Sequence, residues 1–115
     1  MIIALVQIPF DGPKRPSEAV IAQSLESTKI FHDVKGLRRK YYLNSDEGGG
    51  GIYEFATRAD AEAWFNDQWE DWMEGRFGVR PILTIFDNPV VLDNEIGEVR
   101  VNGTPVPAPW EKAKR

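Results

Sequence analysis

Residues 36–73 read GLRRKYYLNSDEGGGGIYEFATRADAEAWFNDQWEDWM. In the first part Leu37, Arg39, Tyr41 and Leu43 share one face, and Arg38, Lys40 and Tyr42 share the other, which is the two-residue period of a strand. Asn44 to Gly50 is rich in turn formers, and Ile52 to Ala56 reads as a second short strand with Tyr53 and Phe55 on one side. The pair is a hairpin. Thr57 and Asp60 then stand at capping-box spacing, with Asp in place of the usual Glu. They open a helix expected to run to about Gly75. Its apolar stripe is Ala61, Trp64, Phe65, Trp69, Trp72 and Met73, and its outer face carries Glu62, Asp67, Glu70, Asp71 and Glu74. Gly75 and Gly78 supply the stop.

Upstream, Ile2 to Phe10 is an apolar strand. Ile2, Ala4, Val6 and Ile8 fall on one face, Ile3 and Leu5 on the other, so both sides are expected to be covered. Asp11-Gly12-Pro13 ends it with turn chemistry. Ser17 is placed to cap a helix in which Ile21, Leu25 and Thr28 recur at helical spacing, with Val20 and Ser24 beside them. That helix is expected to end near Phe31, with Lys35-Gly36 as the turn. Downstream, Val79 to Phe86 reads as a strand, bent at Asp87-Asn88-Pro89 and extended by Val90 to Leu92. The order is strand, helix, strand, strand, helix, strand. Right-handed crossovers fold it into a ferredoxin-like βαββαβ α+β domain, an antiparallel sheet backed by two helices. This reading assigns residues 1–94 to the domain and 95–115 to a C-terminal extension. Asn102-Gly103 in that extension is a strong hairpin signal, and Pro107 to Arg115 reads either as an arm that lies on a neighbour or as a partly disordered end.

The chain has 115 residues, a length suited to one domain. It has no cysteine, which removes disulfides, thiolate catalysis and cysteine-ligated metal centres from consideration. A net charge of −4 gives no global attraction for phosphate backbones, and Arg38-Arg39-Lys40 is a short cluster, so no nucleic-acid partner is expected. The apolar N-terminal stretch lacks a basic leader and is too short to span a bilayer. A cytoplasmic protein without a membrane partner is the expectation. One histidine and scattered carboxylates lack metal-ligand spacing.

Two helices cover only one face of a four-stranded sheet. The other face would carry apolar side chains from both faces-apolar strands such as Ile2 to Phe10 and Val79 to Phe86, where Ile82 and Phe86 oppose Leu83 and Ile85. A patch of that kind marks an interface, and a twofold homodimer packed sheet to sheet would cover it. The alternative cover is the chain's own C-terminal tail.

Five short stretches carry a resemblance. They are Phe10-Asp11-Gly12-Pro13, then Lys35-Gly36-Leu37 with Lys40, then Gly50-Gly51-Ile52-Tyr53-Glu54-Phe55, then Gly78-Val79, and lastly Phe86-Asp87-Asn88-Pro89. In this order, over about residues 1–94, the chain resembles the YdhR-type monooxygenases. These are a branch of the dimeric α/β-barrel group that includes the antibiotic-biosynthesis monooxygenases. The resemblance implies a homodimer whose two sheets form a barrel, with a pocket in each subunit between sheet and helices. It also implies a cofactor-independent monooxygenase acting on a small aromatic or quinol-like substrate with molecular oxygen, with no flavin, haem or metal.

The candidate site residues follow from side-chain chemistry. Lys40 and Tyr42 share a strand face, and Tyr53 lies on the adjacent strand. Around a cavity, a lysine and two phenols could orient and deprotonate a phenolic ligand; as cross-strand neighbours they could equally build a barrel wall. His32, the one histidine, suits proton transfer near neutrality or an exposed helix end. Trp64 and Trp69 offer flat surfaces to an aromatic or apolar ligand, or pack the helix on the sheet. His32 and Lys40 are the catalytic candidates, and Tyr42, Tyr53, Trp64 and Trp69 the binding ones. Gly48 to Gly51 lacks the lysine and helix of a phosphate loop and reads as hairpin turn. Two other functions fit the same residues. One is a non-catalytic dimer that binds a small molecule; the other is an isomerase or lyase on this scaffold.

Overall fold

A computed structural model of the chain describes residues 1–10 and 13–111. Asp11 and Gly12 of the expected first turn, and the end of the expected arm from residue 112, lie outside the described residues. Strand β1 (Ile2–Pro9) sits inside the main sheet, between β3 (Gly48–Phe55) and β4 (Ile82–Asp87). Strand β2 (Leu37–Ser45) forms the far edge, giving the order β2-β3-β1-β4 with every pair antiparallel. Helix α1 (Ser17–Phe31) connects β1 to β2, and α2 (Arg58–Trp64) and α3 (Asp67–Phe77) connect β3 to β4. This is a mixed α+β architecture compatible with a ferredoxin-like fold. Among the described residues no helix is long and apolar enough to cross a membrane.

The interior place of β1 follows from its alternation. Ile2, Ala4, Val6 and Ile8 are buried against the helices with Tyr53 and Phe55 from β3. Leu83 and Ile85 of β4 join them, opposite Val6 and Ala4 in register. On the far side of the sheet Tyr41, Ile82 and Phe86 are each about half exposed, at 56%, 52% and 49%.

Four local expectations are corrected. The second helix is two helices. Asn66 interrupts the stripe, and its side-chain oxygen accepts from Trp69 N at 2.9 Å, capping a fresh start. The second of these helices passes Gly75 and stops at Gly78, which takes the left-handed conformation (φ 73°). Helix α1 gains no cap from Ser17; Pro16 holds the N-cap position without a side-chain bond. Its inner face is Val20, Ser24, Ser27 and Phe31, while Ile21 and Leu25 point outward, at 57% and 64% exposed. The glycine run is strand, not turn: β3 begins at Gly48 and runs beside Ile8 to Val6 of β1. Finally, a bulge between Leu37 and Arg39 shifts the phase of β2. Leu37 therefore packs into the core, on the same side as Lys40 and Tyr42, while Arg39 pairs with Glu54 at 2.9 Å on the opposite face.

Beyond Pro89 the chain makes a second sheet. Strands β5 (Val90–Asp93), β6 (Glu98–Val101) and β7 (Thr104–Val106) pair in that order, so Val90 to Leu92 starts this sheet rather than extending β4. The Asn102-Gly103 hairpin is present, with positive φ at both residues (49° and 84°). Its registers put Val90, Leu92, Val99, Val101 and Val106 on one face, and Val90, Leu92 and Val101 are exposed.

Candidate active site

The main cavity, main by the candidate residues it gathers and not by volume, lies between α1, α3 and the sheet, and small residues of α1 and β3 create it. Helix α1 turns Ser24 and Ser27 toward the sheet, and β3 answers with Gly49 and Gly50. A side chain on neighbouring Gly51 would sit 3.2 Å from the Tyr53 ring and 3.3 Å from Lys40 Cε. Glycine here keeps space open beside Tyr42, its cross-strand partner.

Lys40 forms one wall. Its Nζ lies 3.3 Å from the ring centre of Phe31, 4.1 Å from that of Tyr42 and 4.7 Å from that of Tyr53. Aromatic faces attract a cation, but they solvate it less well than water. Burial accordingly pulls the amine from its ordinary 10.5 down to about 7, with the charge of Arg76 a smaller cause. Both protonation states are then accessible near neutrality. Burial also pushes the Tyr53 phenol well up, with Tyr42 contributing, so Tyr53 stays a neutral donor. Ser27 Oγ donates to Tyr42 Oη at 2.8 Å, which orients that phenol and leaves its own proton for another acceptor.

Two further cations reach the cavity, Arg15 and Arg76. Arg15 is fixed from several sides. Its Nη1 donates to Gln23 Oε1 at 2.6 Å, its carbonyl accepts from Asn44 Nδ2 at 3.0 Å, and its guanidinium lies over Phe10.

The sequence-derived candidates separate into groups. Lys40, Tyr42 and Tyr53 come together as expected from the period of two. His32 does not join them: its side chain is 76% exposed and lies 3.3 Å from Asp33, at the rim of a neighbouring shallow cavity of about 240 Å³. That cavity shares Phe31, Lys40 and Tyr42 with the main one. Trp69 is a core residue, and Trp64 packs edge-on against Phe31 at 5.3 Å; neither lines the two cavities above, and among the described residues the buried indole N–H groups of both have no partner. Phe31, Arg15 and Arg76 are functional candidates that the sequence reading missed. Phe31 reads as a helix end, and the two arginines meet only through the tertiary fold. Among the described residues no group of three His, Asp or Glu side chains could hold a metal ion.

No family model matches the chain, and no curated protein matches it. The resemblance to the YdhR-type monooxygenases therefore rests on the five stretches given above.

Proposed function

We propose that this chain is the subunit of a homodimeric, cofactor-independent monooxygenase that oxidises a small aromatic or quinol-like substrate with molecular oxygen. The observation that carries this reading is the Lys40 amine, held among three aromatic rings at the cavity wall and poised to lose its proton near neutrality. In its free-base form it can take a proton from a phenol or an activated ring methylene. The resulting anion is electron-rich enough to reduce oxygen directly. For a methylene, R₂CH₂ + O₂ gives R₂C=O + H₂O: one oxygen atom enters the carbon, the other leaves as water with both hydrogens, and all four electrons come from the substrate. Lys40 returns its proton to the departing oxygen. Tyr53 and Tyr42 donate to the substrate oxygen. The test is oxygen uptake with a panel of quinols and anthrone-like ketones. Uptake of one O₂ per substrate is expected. Turnover that continues without oxygen would instead indicate an isomerase or lyase.

The main cavity encloses about 60 Å³. That is smaller than the roughly 150 Å³ in which a buried cavity takes up benzene. A ring can enter only if side chains at the mouth give way. A ligand that binds without any oxygen-dependent change would support sequestration over catalysis.

The homodimer is supported by the uncovered sheet face, where Tyr41, Ile82 and Phe86 stand half exposed beside Leu43. Their burial against a second copy is worth roughly 25 cal/mol per Å² of apolar surface. Charge on that face should abolish it. We expect the double substitution Ile82→Glu, Phe86→Glu to shift the native mass from twice the 13.0 kDa chain mass to that mass alone. A wild-type chain that is already a monomer would end the sheet-to-sheet argument.

A further inference from the structure

The main cavity has an unusual charge balance. The chain holds 18 acidic and 14 basic residues, yet Arg15, Lys40 and Arg76 all line this cavity and, among the described residues, no Asp or Glu does. Elsewhere the basic side chains are largely neutralised: Lys29, Lys35, Arg39, Arg58, Arg80 and Arg100 each stand within ion-pair distance of a carboxylate. Among the described residues Arg15 and Arg76 have no such partner.

Aromatic rings hold these two guanidinium groups instead. Arg15 lies 5.4 Å from the Phe10 ring centre, Phe10 and Phe77 are 6.4 Å apart, and Arg76 lies 5.2 Å from Phe77 and 5.3 Å from Trp72. The two cations are thus linked through one Phe10–Phe77 pair, and both line the cavity. Stacking fixes a guanidinium plane without using its edge donors. Arg15 Nε is buried and has no acceptor among the described residues. A buried charged donor left open in this way is costly unless something fills it. The 60 Å³ of space suits a carboxylate group, and the adjoining cavity of about 240 Å³, which shares Phe31, Lys40 and Tyr42 with it, has room for the ring that carries it.

We propose that the substrate is an organic anion, an aromatic carboxylate whose carboxyl group is clamped by Arg15 and Arg76, leaving Lys40 free for the phenolic proton. This rests on the reading of the cavity as the substrate site. Bidentate capture of a carboxylate by a pre-stacked guanidinium is the strongest form of this contact. It also gives orientation, because the carboxylate fixes which end of the ring faces Lys40.

The experiment is calorimetric titration of the wild-type protein with benzoate, 4-hydroxybenzoate and 2-naphthoate, each against its neutral amide. The acids are expected to bind at least about tenfold more tightly than the amides. Arg76→Gln, at an exposed position where folding is not at stake, is expected to remove that preference, with acid affinity falling at least about tenfold relative to the amides measured on the same variant. Amides that bind as well as acids would overturn the anion assignment while the site reading stands. Binding by none of the six would overturn the site reading and this inference with it.

Discussion

Lys40→Met is expected to slow turnover of a phenolic or quinol substrate by at least about a hundredfold, the usual scale of a lost general base. Methionine keeps the length and apolar stem of lysine, so the wall formed with Phe31, Tyr42 and Tyr53 keeps its shape. Only the proton acceptor goes. The pH profile separates loss of a base from loss of packing. In the wild type, kcat/KM should climb as pH rises through about 7, because the amine must first lose its proton. The variant should lack that limb. The substitution should raise stability while it lowers activity. Because burial lowers the amine's folded pKa, the unfolded chain binds the extra proton between about 7 and 10.5. The wild type is therefore destabilised by this group fully below pH 7, and the penalty fades as pH rises toward 10.5. Urea denaturation of the two proteins should show Lys40→Met the more stable at neutral pH, with the gap closing in alkali. A variant that keeps wild-type turnover and the same rising limb would remove Lys40 from the chemistry.

The parts of this site that could be read from sequence are those governed by short-range periodicity. Lys40 and Tyr42 two apart on a strand, and Tyr53 on its hairpin partner, needed only the alternation of a pleated sheet and the turn between them. Leu37 shows the limit of that method. A single bulged residue put it on the Lys40 side instead of the Arg39 side, and nothing in LRRK announces the bulge. The helix break at Asn66 is similar. An asparagine within a helical stripe looks like one more solvent-facing residue until its side chain is seen bonded to Trp69 N. Arg15 and Arg76 belong to a different class. They are 61 residues apart, and the rings they stack on, Phe10 and Phe77, meet only through the tertiary fold. No local pattern carries that. Trp64 and Trp69 mark the opposite case, where a strong chemical signal in the sequence was absorbed by the core.

Gly50→Ala is expected to destabilise the protein by about 3 kcal/mol or more, and Gly75→Ala to stabilise it by about 0.5–1 kcal/mol. The two glycines look alike in sequence, and the backbone separates them. Gly50 has φ of +150°, a region nearly closed to any residue with a side chain. A Cβ there would lie 2.0 Å from the carbonyl oxygen of Val6 and 3.0 Å from its carbon. Those are backbone atoms of the central strand, so no rotamer change relieves the clash; β1 and β3 would have to part. Gly75 lies inside α3 with nothing within 4 Å of a would-be Cβ. Alanine there only removes conformational freedom from the unfolded chain. Had the glycine run been a solvent-facing turn, Gly50→Ala would cost no more than a strained turn residue, about 1 kcal/mol. Urea denaturation of both variants therefore reads out where the run lies. A mild Gly50→Ala would mean that β3 does not run flush against β1. The cavity between Ser27, Lys40 and the glycine floor depends on that close approach, so the catalytic proposal would lose its geometry along with the strand.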